Sequence, residues 1–153
     1  MNVIERRASD NKYLHRDFHI SMNMLMKYIC DEFGAEALTE YLKQFSGEFH
    51  SLNTECLKKG DLECLLKYFN DVYEKEEWPV SIELSDDVLT VSQKACPGIS
   101  YLRKNGHEPV EQYIETYTTV YETMCKGTPY EYFMESFNNE TGACVQRFQR
   151  RAL

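Results

Sequence analysis

At Trp78-Pro79 the apolar residues of this chain stop recurring every three or four positions and begin to alternate. No single element can span that change. A helix buries one stripe at about 3.6 residues per turn, whereas a strand buries every second residue. From Lys12 to the break the chain reads as helix. Leu14, Phe18, Met22, Leu25, Met26, Ile29 and Phe33 mark a helix over 12–33, which Gly34 stops. Leu38, Tyr41, Leu42, Phe45 and Phe49 mark a second over 35–49. Leu52, Cys56 and Leu57 suggest a third, ending at Gly60. A fourth starts near Asp61 with Leu62, Leu65, Leu66, Phe69, Val72 and Tyr73 inward, and Pro79 ends it.

After the break the pattern is that of strands. Val80, Ile82 and Leu84, the turn Ser85-Asp86-Asp87, then Leu89 and Val91 predict a β-hairpin. Cys96-Pro97-Gly98 opens a short helix that Asn105-Gly106 closes. Pro109 suits the first turn of a longer helix. Its stripe is Val110, Tyr113, Ile114, Tyr117, Val120, Tyr121 and Met124, and Gly127-Thr128-Pro129 ends it. The tail is a second hairpin turning at 138–142. Tyr130, Tyr132, Met134 and Ser136 are expected on one face, and Glu131, Phe133, Glu135 and Phe137 on the other. Two hairpins can join into one antiparallel four-stranded sheet with helices covering one face. The expectation is a single α+β domain over 12–153 behind a frayed 1–11.

The formal net charge of −8 argues against a nucleic-acid partner, which needs a basic surface. The start, Met1-Asn2-Val3-Ile4-Glu5-Arg6-Arg7, lacks the apolar core of a signal peptide, and no run is long enough to cross a membrane. The expectation is therefore a cytoplasmic chain whose six cysteines are reduced thiols. No two form a C-x-x-C pair, which argues against a zinc ribbon or a redox motif. The partners expected are a small-molecule substrate or ligand and, beyond that, a second copy of the chain as a homodimer.

Two places could carry chemistry. His15 and His19 fall one turn apart on the apolar face of the first helix, a spacing that can hold a metal or position a general base. Two buried histidines satisfied by carbonyls or hydroxyls would produce the same pattern. No H-E-x-x-H is present, and spacing identifies no third ligand, so the sequence requires no cofactor, although it leaves room for a divalent metal. Cys96 precedes Pro97 and is the expected N-cap of its helix. There, free amides and the helix dipole would favour thiolate, and the same amides could hold a carboxylate or an oxyanion. A small buried cysteine filling space is the alternative. Tyr113 and Tyr117 could line a polar-floored pocket beside the histidines. Arg147 could grip a carboxylate or sit in a surface salt bridge. His107 lies in an Asn-Gly-His loop as a possible mobile acid or base. The remaining cysteines, Cys30, Cys56, Cys64, Cys125 and Cys144, read as packing.

Taken in order, Tyr13-Leu14-His15-Arg16-Asp17-Phe18-His19, the Cys96-Pro97 helix start, Gly127-Thr128-Pro129 and Gly142-Ala143-Cys144-Val145-Gln146-Arg147-Phe148 resemble the L-2-amino-thiazoline-4-carboxylic acid hydrolases over about 12–151. The resemblance implies hydrolytic opening of a cyclic isothiourea. It also implies kinship with the vinyl-reductase-like and transport-particle-subunit ligand-binding fold, whose helices–hairpin–helices–hairpin order is the one read above. On that view Cys96 attacks the amidine carbon or a histidine delivers water to it. His15 or His19 then protonates the leaving group, and Arg147 or the helix start at Cys96 holds the carboxylate. The rival is a non-catalytic binding module with a tyrosine-rich apolar cavity. A metal- or haem-binding domain using His15 and His19 is the third reading.

Overall fold

The computed structural model describes residues 15–152. Four α-helices precede a hairpin and a fifth follows it, with the change from helix to strand at the break in period. They are α1 (His15–Phe33), α2 (Ala35–Phe49), α3 (Ser51–Lys58), α4 (Glu63–Lys75), β1 (Ser81–Ser85), β2 (Val88–Gln93) and α5 (Pro97–Lys104). A 3-10 helix (Glu111–Thr116), α6 (Thr118–Cys125) and the strands β3 (Tyr130–Phe137) and β4 (Cys144–Arg150) complete the domain. The two hairpins join through β2 and β4 into an antiparallel sheet of order β1-β2-β4-β3. Among the described residues no helix is long and apolar enough to cross a membrane.

The alternation along each strand decides which face is covered. Leu89, Val91, Gln93, Cys144, Gln146, Phe148, Tyr130 and Tyr132 are buried and point toward the helices. The largest core cluster joins them to Leu57, Leu65, Phe69 and Tyr73 from α3 and α4, and to Met124 from α6. Arg147, between the buried Gln146 and Phe148, points to the other face. A second cluster packs Cys96, Ile99 and Leu102 of α5 against Tyr113 and Tyr117. A third packs Met26 of α1 against Leu38 and Leu42 of α2 and Val120 of α6.

Three expectations are corrected. The long helix over 109–126 is two pieces, a 3-10 helix and α6, broken at Tyr117. Thr116, Thr118 and Thr119 are β-branched and stiff. The Thr116 hydroxyl donates to the Tyr113 carbonyl (2.8 Å) and the Thr118 hydroxyl to the Ile114 carbonyl (3.3 Å), which competes with regular helix bonding. In the second hairpin a register shift between Met134 and Ser136 leaves Glu135 as the extra residue. Such a bulge exchanges the faces beyond it, so Phe137 stacks toward Tyr117 (6.2 Å between ring centroids) instead of standing on the outer face. On α1 the buried stripe is narrower than its apolar residues suggest. Phe18, Leu25 and Phe33 are exposed, while Asn23 is buried. The Asn23 side chain donates to the Glu108 carbonyl (3.0 Å) and accepts from the Val110 N–H (2.9 Å), which ties α1 to the segment before the 3-10 helix.

Phe148 has no exposed surface and contacts the rings of Phe69, Tyr121 and Tyr132 at centroid distances of 5.0–5.6 Å. Phe148→Ala leaves a cavity where sheet and helices meet. Urea unfolding should show a loss of about 3–5 kcal/mol; a loss under about 1 kcal/mol would mean that this aromatic centre is not the core.

Candidate functional site

A cavity of about 580 Å³ opens between the helices on the covered side of the sheet. Its walls come from Phe18, His19 and Met22 of α1, Phe45 and Phe49 of α2, and His50. Tyr68, Val72, Tyr73 and Glu76 enter from α4 and its cap, and Cys96, Pro97 and Gly98 from the start of α5. Tyr113, Thr116, Tyr117, Val120 and Tyr121 close it. Phe18 and Phe49 are 43% and 59% exposed and form the rim, while Cys96 (2%), Tyr113 (9%) and Tyr117 (9%) lie at depth.

Cys96 is the N-cap of α5, with Pro97 at the first helical position, as its sequence context predicts. Its own N–H donates to the Thr141 carbonyl (2.8 Å), which fastens it to the β3–β4 turn. Two glycines make room around it. Gly142 has φ +69°, and a Cβ there would overlap that of Cys96. A Cβ on Gly98 would overlap the Tyr113 hydroxyl and stand 2.9 Å from His19 Nδ1. The absence of that carbon lets a tyrosine and a histidine reach the open end of α5.

The proton positions around the thiol follow from one carbonyl. The Gly142 carbonyl can only accept, so the Gln93 side chain must turn its NH2 toward it (3.0 Å). The same NH2 then donates to Tyr117 Oη (3.2 Å), and Gln93 Oε1 accepts from the Tyr73 hydroxyl (2.8 Å). Tyr117 therefore sends its own proton to Cys96 Sγ, 2.9 Å away. Tyr113 Oη lies 3.9 Å from the same sulfur.

These donors do not make Cys96 a preformed thiolate. Burial pushes the thiol up and outweighs the Tyr117 hydroxyl, the amides of Ile99 and Gly98 and the Tyr113 hydroxyl, all of which pull it down. The helix start supplies the expected donors, but desolvation of the thiol outweighs them. Burial likewise holds Tyr113, Tyr117 and Tyr121 well above the usual phenol range, so all three stay protonated.

His19 Nε2 lies 3.3 Å from the Glu76 carboxylate, and both side chains are largely buried. Glu76 was not anticipated, yet it follows Phe69, Val72 and Tyr73 at helical spacing, and an acid in phase with an apolar stripe was a visible signal. Gln93, in phase with Leu89 and Val91 on β2, carried the same kind of signal. His50 closes the apolar end. Tyr68, Phe49 and Tyr121 pack edge-on around it at 5.0–5.8 Å, and Asn53 Nδ2 lies 3.3 Å from its Nδ1.

Other expected site residues fall elsewhere. The His15 side chain lies outside the described residues, so the histidine pair is represented by His19 alone. Among the described residues no group of three metal-capable donors includes His19. Arg147 does not reach the cavity. On the far face of the sheet it pairs with Glu135 (3.0 Å) and covers the Phe133 ring at 5.5 Å, the salt bridge that was its alternative reading. His107 is also absent from the cavity wall; its N–H donates to the Leu102 carbonyl and closes the turn after α5. Tyr113 and Tyr117 do border the cavity.

Scanned against protein-family models and against curated proteins, the chain matches none.

Burial depresses His50 from the ordinary histidine value of 6.5 to about 4. Between those values the unfolded chain binds a proton that the folded chain refuses. This contribution is complete above pH 6.5 and is lost as pH falls toward 4. Unfolding measured across that window should show His50→Phe retaining stability that the parent loses, by up to about 3 kcal/mol. Parallel curves for the two proteins would mean that His50 is solvated.

Proposed function

We propose that this chain hydrolyses a small planar amidine or cyclic isothiourea, with Cys96 as nucleophile and His19, oriented by Glu76, as acid and base. The observation that carries this reading is the meeting of a hydrogen-bonded thiol at an open helix start with a histidine–carboxylate pair on one cavity wall.

Because the thiol is neutral, the first step includes its deprotonation. His19 takes the proton as the sulfur–carbon bond forms at the amidine carbon. The amides at the start of α5 and the tyrosine hydroxyls stabilise the charge that develops on the tetrahedral adduct. The ring C–S or C–N bond then breaks, and His19 returns the proton to the departing atom. Water adds to the resulting thioimidate, His19 accepts its proton, and cleavage of the Cys96 S–C bond restores the thiol. The net change is addition of one water. Among the described residues no Lys or Arg borders the cavity, so among these a substrate carboxylate would rest on the amides of α5 and not on Arg147.

The cavity volume and the rim of Phe18, Phe45 and Phe49 favour a second reading. Pockets of about 300–1,000 Å³ hold drug-sized ligands, and the 580 Å³ here exceeds the needs of a single five-membered ring. A non-catalytic module holding a larger apolar ligand would use the same walls.

Incubation with L-2-amino-thiazoline-4-carboxylate and mass spectrometry separates the two. Hydrolysis predicts a water-added product, lost in Cys96→Ala and reduced about 100-fold or more in Glu76→Gln, both variants remaining folded by circular dichroism. Full turnover in Cys96→Ala would remove the covalent route. Absence of product, with an apolar molecule retained in native mass spectra, would establish the binding module.

A further inference from the structure

Outside the cavity, the turn between α3 and α4 gathers three donors of a different kind. Ligand atoms of Cys56, Asp61 and Cys64 all lie within 4.8 Å of one another, and among the described residues this is the one such group of three or more. The thiols are half-buried and Asp61 is exposed, so the group has both a floor and an entrance. We propose that Cys56, Asp61 and Cys64 form a site for one soft divalent d10 cation of the Zn²⁺ class, fastening the end of α3 to the first turn of α4.

The backbone already holds the three residues in place. The Cys56 carbonyl accepts from the N–H groups of Lys59 (3.0 Å) and Asp61 (3.1 Å), and Gly60 turns between them with φ +81°. One Asp61 carboxylate oxygen accepts from the N–H groups of Glu63 (3.0 Å) and Cys64 (3.3 Å). That fixes the carboxylate and leaves its second oxygen for an ion. In a tetrahedral site with metal–sulfur bonds of about 2.3 Å, two sulfurs sit about 3.8 Å apart. With the donors within 4.8 Å of one another, the two sulfurs need to draw in by at most about 1 Å.

The donor set selects the ion. Two thiols exclude Ca²⁺ and Mg²⁺, which take oxygen ligands. Two sulfurs with one carboxylate suit a borderline-soft ion and leave a fourth position for water or an external thiol. The spacing explains why no C-x-x-C pair marked the site: the cysteines are eight apart, brought together by a helix–turn–helix. A divalent cation held by the three donors favours the thiolate form of both cysteines. Two thiols become thiolates, two protons leave, and binding tightens as pH rises.

The full chain, reduced and stripped with a chelator, would be titrated with Co²⁺ and then with Zn²⁺. The expected result is thiolate-to-cobalt charge transfer with tetrahedral d–d bands, saturating at one equivalent per chain and abolished by Zn²⁺. The Cys56→Ser/Cys64→Ser double variant should lose the bands. Asp61→Asn, which keeps the helix-capping oxygen, should bind about tenfold more weakly or worse. Zn²⁺ should also raise the melting temperature of the parent and not of the double variant. Bands that survive in the double variant would place the ion elsewhere. Absence of thiolate bands in the fully reduced parent would likewise overturn the site. None of these readouts depends on turnover at Cys96.

Discussion

The buried side chain of Gln93 is the joint on which the interior of this domain depends. A primary amide offers one carbonyl oxygen and two N–H bonds. Here Tyr73, Tyr117 and the Gly142 carbonyl engage all three. The partners come from α4, from the break between the 3-10 helix and α6, and from the β3–β4 turn, while Gln93 itself ends β2. Leaving one such group unpaired costs roughly 1–3 kcal/mol in the interior. The four segments are therefore held in mutual register by one side chain whose orientation a single backbone carbonyl dictates. The direction of the chain of protons, from Tyr73 through Gln93 and Tyr117 to the Cys96 sulfur, is a consequence of that carbonyl and not an independent feature.

That direction bears on what the thiol can do. A helix start and two hydroxyls all offer protons or positive dipole ends to Cys96, which on their own favour thiolate. Desolvation opposes them and wins. The resting group is a thiol in an environment already arranged for negative charge, so the missing ingredient is somewhere for the proton to go. His19 is held against the start of α5 through the space Gly98 leaves, and Glu76 lies behind it. Under the proposed hydrolysis the carboxylate is then as consequential as the thiol, because it stabilises the imidazolium that forms as sulfur attacks.

Much of the architecture was legible in the sequence because two periods carry it. The break at Trp78-Pro79, the alternation in 80–91 and the Cys96-Pro97 start each follow from local geometry and appear in the structure within a few residues. Period alone did not disclose the bulge at Glu135, which follows from pairing with β4 and turns Phe137 inward. Nor did it disclose the break at Tyr117, where threonine hydroxyls compete for helix carbonyls. The cavity was legible in part. Cys96, His19, Tyr113 and Tyr117 converge because each sits on an inward phase of its own element. Arg147 was assigned by chemistry when its phase on β4 already placed it on the opposite face. Gln93 and Glu76 were passed over for the converse reason, being polar residues in apolar phase, which is where a buried network has to begin.

Helix α4 links these features, and its packing decides what kind of link it is. Its 13 residues span about 20 Å. One end carries Tyr73 and the Glu76 cap into the cavity, and the other begins at the turn that holds Cys56, Asp61 and Cys64. A rigid rod between two sites suggests signalling, but coupling requires two arrangements of the rod that each site can favour. Leu65 and Phe69 are fully buried against the sheet and α3, and close-packed interiors do not slide without a second packing solution. Nothing in that face supplies one. An ion at the turn would therefore add to the stability of a single α4 position, and the alignment of Glu76 behind His19 would gain persistence without gaining a switch.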